Sequence, residues 1–443
     1  MTTNLPPGPS DSTLLSTFKF WRRTAPFLEG ARERFGELWT MRLIGAPPFV
    51  MMSDPELIDQ VFSADSAVLG TGVGEVGKPL MGATSVLLLD GEEHTEMRGI
   101  LNPSFRSAQV KRYRERTERI TEQELSRWPL RQPLPLLPLM EEITLGVIMS
   151  AIFGVTEAEA RQLLRTRISD VVDWGGNPIH MARMMASQSR GKPAPASFVK
   201  VRDPLDDAVF EVIERARRDP NLEERDDILA MLVQAQHDDG TPMTEREIRD
   251  TLVTLMIQGH ASTADALCWA LERLMRNPEA NERLRAESQT EDEEYLDAVV
   301  KETLRARPPL PMATRMAHEP YQLGEYELGV GMLAAPCIYL VHHREDIYPE
   351  PHRFRPERFL ERPAERSTWL PFGGGERGCL GASFALHEIK AVLRTLMRQA
   401  RFAPADPSDE KIVRRRIGLS PSRGAKAVLE ERFLAGERAA AAA

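Results

Sequence analysis

The run Phe372-Gly373-Gly374-Gly375-Glu376-Arg377-Gly378-Cys379-Leu380-Gly381 packs five glycines and a cysteine into ten residues, directly ahead of a segment with helical periodicity. Glycines let a backbone take positive φ and approach a bulky flat object, at an entropic cost that a loop with nothing to approach would not carry. A cysteine at a helix N-terminus has its thiolate stabilised by the helix dipole and by amides without helical partners. A bound metal would complete the deprotonation, and amides just past Cys379 can donate to the sulfur and tune it as a ligand. Gly373, Gly375 and Gly378 also fit the G-x-G-x-x-G of dinucleotide loops. That fingerprint opens a helix in a βαβ unit, with an acid about twenty residues on, and Pro371 before the run and Cys379 after it fit this poorly. A core cysteine in a glycine-rich loop leaves the glycines without a reason.

The run resembles the heme-ligand signature of the cytochrome P450 family, F-G-x-G-x-[HR]-x-C-x-G, at Phe372, Gly373, Gly375, Arg377, Cys379 and Gly381. The resemblance implies heme b with Cys379 as its axial thiolate, Phe372 packed against that cysteine and Arg377 on a heme propionate. Other segments in family order support it, so that the similarity spans residues 5–429. Glu302 and Arg305 stand three apart on one helix face, and Pro356-Glu357-Arg358-Phe359 follows before the cysteine. In the family such an E-x-x-R pair and the later arginine form a buried structural triad on the cysteine side. Buried charges must be paired, so Glu302, Arg305 and Arg358 are read as scaffold. His94 and Arg98 form H-x-x-x-R at helical spacing, and Arg315 follows Pro308-Pro309-Leu310-Pro311. By resemblance these three also bind propionates, where cations offset two carboxylates.

On the oxygen side the pattern departs from the family. Gln258-Gly259-His260-Ala261-Ser262-Thr263 stands where [AG]-G-x-[DE]-T-[TS] is usual, so Gly259 and Thr263 match, Ala261 replaces the acid and Ser262 replaces the threonine. Cleaving bound dioxygen needs two protons at the outer oxygen, normally relayed by an alcohol with a nearby acid and water. Ser262 can supply the hydroxyl, with waters or substrate groups completing the relay. Peroxide use or non-oxygenase heme chemistry is the alternative, and a pure helix-packing role for these residues is the third reading. Gly259, Ser262 and Thr263 are expected on the heme face, His260 as a satisfied packing residue, and Asp265 too far along to replace the acid.

These residues need a mainly α body with a small β region, one P450-type domain over 1–443 with its core at 5–429 and a tail at 430–443. A helix over 21–35, a strand pair over 38–52, and a helix over 54–62 capped by Asp54 with Pro55 at its first position are predicted. A glycine-rich loop over 68–89 follows, then mostly helix over 92–153. Helices over 204–218, 226–237, 244–275, 279–287 and 292–305 lead to small strands and turns over 321–333 and 334–340. The last helix covers 381–402, and strands are expected at 417–419 and 425–429. The heme is expected between the long helix over 244–275 and the Cys379 loop.

The chain has 443 residues, 42% hydrophobic and 28% charged, enough to build a large core without staples. A formal net charge of −9 argues against a nucleic-acid binder. Three scattered cysteines suggest neither a zinc site nor a disulfide framework, and point to a reducing cytoplasm. Residues 1–20 hold no apolar run suited to a signal or membrane span, so no membrane anchor is expected, and the chain is read as a monomer. No flavin or iron–sulfur module accompanies the cysteine loop, which implies a separate ferredoxin or flavodoxin with its reductase. Such partners are acidic, and Lys111, Arg112, Arg114, Arg116, Arg377 and Lys390 are candidates for a basic docking patch. The substrate is expected to be a hydrophobic small molecule, a natural product of secondary metabolism, met by segments 68–89, 174–201, 312–314 and 417–419 and by the long helix. Methionines in the second of these suit irregular apolar shapes.

Overall fold

The computed structural model describes residues 5–72, 77–105, 113–154, 158–188, 190–416 and 418–433, the side chains of 158–161 and 178 excepted. Helices dominate and the strands are short. By proximity the chain forms two compact units, one of Met1–Leu69, Arg114–Thr144 and Ser262–Ala443, the other of Gly70–Tyr113 and Leu145–Ala261.

In the first unit the expected strand pair forms from Leu38–Met41 and Phe49–Met52, antiparallel with Leu38 opposite Met52. Leu333–Pro336 pairs parallel to Phe49–Met52 and antiparallel to Arg315–Ala317. Alternation along Phe49–Met52 sends Val50 and Met52 into one apolar cluster with Ile58, Val61 and Phe62. Met51 goes to another with Trp39, Met41 and Leu28, the two-residue period of a strand covered on both faces. The helix Pro55–Ser63 starts where predicted, Asp54 accepting from Glu56 N at 2.9 Å and Leu57 N at 3.1 Å.

Three expectations in this unit are corrected. The helix predicted over 21–35 is two helices, Thr13–Arg22 and Thr24–Phe35, the first capped by Ser12. Pro26 has no N–H to return to Arg22 O, a loss tolerated only in a first turn, so the chain restarts at Thr24. The stretch 334–340, predicted as strand and turn, is strand only as far as Pro336, which cannot donate to a ladder, and Ile338–His342 is helical. The last helix, Ala382–Gln399, stops short of 402, because Ala400–Pro404 is a strand paired to Lys426–Arg432. Lys426–Arg432 also pairs with Pro133–Pro135, a strand inside a stretch predicted as mostly helix. Ile412–Arg415 and Gly418–Pro421 make a separate hairpin with Arg415 opposite Gly418.

In the second unit a capping box of Thr244 and Glu247 starts the helix Glu245–Gln258. The helix predicted from Pro204 begins earlier and runs Ala196–Arg217 with Pro204 inside it. Its buried stripe Phe198, Leu205, Val209, Val212 continues across the proline, so packing outweighs one lost backbone bond. Phe198, Trp174 and Met184 form a small core against Met181 and Leu80. The single helix predicted over 244–275 is interrupted: Glu245–Gln258 ends at Gly259 and a new helix, Ala261–Arg276, follows.

Candidate active site

The first unit carries the cysteine loop, braced at every stage. Cys379 N donates to Phe372 O at 2.9 Å, Gly378 N to Gly375 O at 3.0 Å and Gly373 N to Leu370 O at 3.0 Å. Gly373 and Gly375 sit at φ 66 and 68, a region costly for any side chain. A Cβ on Gly375 would lie 1.8 Å from Phe62 O, and one on Gly374 would lie 2.4 Å from the Phe62 ring. Gly374 and Gly375 are therefore required by the protein wall behind the loop. Arg315 lies over the Phe62 ring at 5.4 Å and donates to Gly374 O at 3.0 Å. Phe372 meets Trp369 edge to face at 6.0 Å, and Trp369 Nε1 donates to Lys301 O at 3.2 Å. Ahead of the loop, Leu370 N donates to His342 Nε2 at 2.8 Å.

Cys379 is exposed, whereas Cys268 and Cys337 are buried. Desolvation pushes the Cys337 thiol up to about 12 and the Cys268 thiol well above its ordinary value, which leaves Cys379 as the cysteine able to present a thiolate. A glycine-rich turn, an exposed thiol at the head of the helix Ala382–Gln399 and a guanidinium on the loop form a cradle that fits a flat, anionic, thiolate-ligated group.

The Glu302 cluster stands behind this loop. Arg305 donates to both Glu302 oxygens at 2.7 and 2.9 Å and to His342 O at 2.8 Å. Arg358 Nε is 3.0 Å from Glu302 Oε2, and Arg355 N reaches Glu302 Oε1 at 2.8 Å. Glu302 and Arg305 are fully buried and Arg358 nearly so. His342 ties this cluster to the loop, its carbonyl accepting from Arg305 and its ring from Leu370 N. His342 and His343 are kept neutral by burial, with Arg305 adding repulsion; the His342 imidazole is pushed down to about 3.

Of the cations expected in a docking patch, Lys111 and Arg112 lie outside the described residues. Arg114 is paired with Glu118 and Glu293, each at 2.9 Å, and Lys390 with Asp297 at 3.5 Å and Glu293 at 3.7 Å. These two are part of a mixed-charge network around Glu293, not bare positive charge. Ile417, among the expected substrate contacts, also lies outside the described residues, as do 73–76 of the glycine-rich loop and 434–443 of the tail.

The second unit carries His94, buried, and half-buried Arg98 on one face of the helix Gly91–Leu101. Gly259 there has a packing reason: a Cβ would lie 2.8 Å from Ile148 Cγ1. His260 is buried with Nδ1 on Met256 O at 2.8 Å, as expected for a packing residue. Gln258 is exposed and its amide meets Met81 Sδ at 3.8 Å. Sequence reasoning missed Asp250. Its carboxylate takes Thr84 N at 3.2 Å, Thr84 Oγ1 at 2.8 Å and Arg249 Nη1 at 2.9 Å. With Ser85 Oγ 2.8 Å from Thr254 Oγ1, it pins the loop expected to face substrate.

Back in the first unit, Ser262 is half-buried and Thr263 buried at the start of Ala261–Arg276. Two buried acids stand out here: Glu388, which the sequence reading missed, and Asp265, which it set aside as too far along. Burial holds Glu388, nine residues past Cys379, protonated, with no hydrogen-bond partner among the described residues. Asp265 is likewise desolvated, its carboxyl pushed up to about 7. Neither belongs to a spacing that marks it.

The chain matches the Cytochrome P450 family over residues 6–426. The putative cytochrome P450 135B1 of Mycobacterium tuberculosis is 35% identical over 436 residues, covering 95% of this chain and 90% of that one. The putative cytochrome P450 137 of the same organism is 35% identical over 398 residues, covering 89% and 83%. Retinoic acid-bound cyanobacterial CYP120A1 superposes with a TM-score of 0.82 at 23% identity, over 97% of this chain and all of that one. The heme domain of cytochrome P450DA gives the same TM-score at 19% identity. The fold is the cytochrome P450 fold, mainly α with a small β region. The chain belongs to the cytochrome P450 family and is a heme-using oxidoreductase of the monooxygenase type.

Proposed function

We propose that this P450 carries heme b on Cys379 and oxidises a hydrophobic small molecule, a natural product of secondary metabolism, in the cytoplasm. Electrons come from a separate ferredoxin or flavodoxin with its reductase, and the chain acts as a monomer. The observation that carries the reading is the Cys379 loop: an exposed thiol at a helix N-terminus, on a glycine loop clamped by Phe62 and Arg315. When bound, the heme supplies reductive dioxygen activation, favoured by electron donation from the thiolate. Phe372 and Gly373 shape the loop around the sulfur, and Gly381 opens the helix whose amides face it. Arg377, Arg315, His94 and Arg98 offset the propionates. Ser262, with waters, holds and passes protons on the oxygen side, next to Thr263 and Gly259. Glu302, Arg305 and Arg358 act through the loop they support and are structural.

The test is a reduced, CO-bound difference spectrum of the purified protein beside Cys379→Ala. A red-shifted Soret band typical of thiolate ligation, lost in the variant, is the expected result. A histidine-type spectrum in both proteins, or no heme, would overturn the assignment.

Ala261 at the usual acid position favours a second reading, peroxide-driven or non-oxygenase chemistry. Turnover with peroxide alone, and none with NAD(P)H and redox partners, would select it.

A further inference from the structure

The strand Gly418–Pro421 is stitched to the helix Ala261–Arg276 by two side chains one turn apart. Trp269 Nε1 donates to Leu419 O at 2.9 Å, while Leu419 N donates to Pro309 O at 2.7 Å. One turn earlier, Asp265 hydrogen-bonds the Ser420 side chain. Its Oδ2 lies where nothing larger than glycine fits: a Cβ on Gly418 would be 2.9 Å from it and 3.4 Å from Pro309 O. Asp265 is 6% exposed, and its Oδ1 has no hydrogen-bond partner among the described residues.

We propose that Asp265 is a positioning residue that latches the hairpin of Ile412–Arg415 and Gly418–Pro421 onto the helix Ala261–Arg276, closed when its carboxyl is neutral and released when it ionises. The proposal rests on the function proposed above only in taking Gly418–Leu419 as part of the wall offered to substrate. An ionised carboxylate in this slot keeps one oxygen without a donor. That cost is relieved by admitting water, and water reaches the slot by lifting Gly418–Ser420 off the helix. Trp269 and Pro309 hold Leu419 through neutral bonds and do not respond to pH.

The charged groups facing Asp265 work in opposite directions. Burial raises its pKa most, the Ser420 hydroxyl lowers it by favouring the ionised form, Glu141 raises it, and Arg416 and Arg415 lower it. Arg416 is committed to Glu141 at 3.1 Å, which limits what it can do for Asp265. On its own helix Asp265 faces Cys268, whose thiol burial keeps neutral. The balance sets the carboxyl near 7, inside the range where an enzyme is assayed.

The experiment is amide hydrogen exchange of the peptide covering 412–421 in the wild-type holoenzyme and in Asp265→Asn and Gly418→Ala, between pH 5 and 8.5, corrected for intrinsic exchange. In the wild type the opening constant should rise about tenfold per pH unit up to about 7 and then level off. Asp265→Asn, neutral throughout, should be flat, and Gly418→Ala should be open at every pH. A flat wild type overturns the latch. So does an equal rise in Asp265→Asn, which would assign the effect to Glu141, and so does a Gly418→Ala as protected as wild type. The readout needs no substrate or turnover, so a failure of the heme–thiolate assignment would appear in the CO spectrum and not here.

Discussion

Gly375 and Phe62 meet so closely that a Cβ on the glycine would stand 1.8 Å from the Phe62 carbonyl oxygen. The cysteine loop is thus pressed against the helix Pro55–Ser63, and its shape is fixed from behind before any ligand arrives. Gly375→Ala adds this clash to a positive φ of 68. The variant should fold, because the contact is local, but lose most of its heme on gel filtration. Heme content by pyridine hemochrome, beside a circular dichroism melt, checks both halves; full heme retention would show that the loop can back away from Phe62.

The Glu302 cluster gives a sharper stability prediction. Glu302→Gln leaves Arg305 and Arg358 buried with one charge partner removed. Breaking such a pair from one side costs about 3–5 kcal/mol. Urea unfolding should show a loss of that size, and Lys301→Gln, at the half-exposed neighbour, should show almost none. Equal losses in both would mean that the cluster is no more than helix surface.

What sequence made legible was local and periodic. The cysteine loop, the Asp54 cap and the pairing of 38–52 each follow from short-range chemistry, and each is where the spacing puts it. What it hid depended on tertiary neighbours. Pro204 reads as a helix start, yet a buried stripe carries the helix across it. Residues 244–275 read as one helix, because Gly259 shows its reason only when Ile148 stands beside it. Asp265 read as an acid too far along to matter, and only its contacts with Gly418 and Ser420 give it a role to test.

Acid should attack the cysteine loop through His342. Its Nε2 accepts from Leu370 N at 2.8 Å, so the bond needs the neutral ring, and burial pushes its pKa down to about 3. Above about 6.5 the ring is neutral folded and unfolded, and the residue contributes no pH dependence. Below that the unfolded chain binds a proton that the folded one refuses. Stability is then lost at up to about 1.4 kcal/mol per pH unit as pH falls toward 3. Heme release during acid titration should track this loss. A variant without a titrating ring, His342→Gln, should flatten the slope between pH 6 and 4 even if it lowers stability at pH 7; an unchanged slope would remove His342 from the account.

Asp265 gives the opposite sign. Its folded pKa, about 7, lies above the ordinary carboxyl value. Between about 4 and 7 the folded protein therefore holds a proton that the unfolded chain has released, and stability falls as pH rises through that window. Asp265→Asn removes the titration while keeping the shape of the side chain. Its melting temperature relative to wild type should climb from pH 5 to pH 7 and stay constant above, since each kcal/mol is worth a few degrees at this size. Between about pH 4 and 6.5 the two slopes oppose each other, so His342 and Asp265 together predict a nearly flat contribution to stability there, lost toward pH 3 through the imidazole and toward pH 7 through the carboxyl. Scanning calorimetry across pH 5 to 8.5 on the wild type and both single variants separates the two slopes, and a difference between Asp265→Asn and wild type that does not change with pH would show that Asp265 is ionised in the fold throughout.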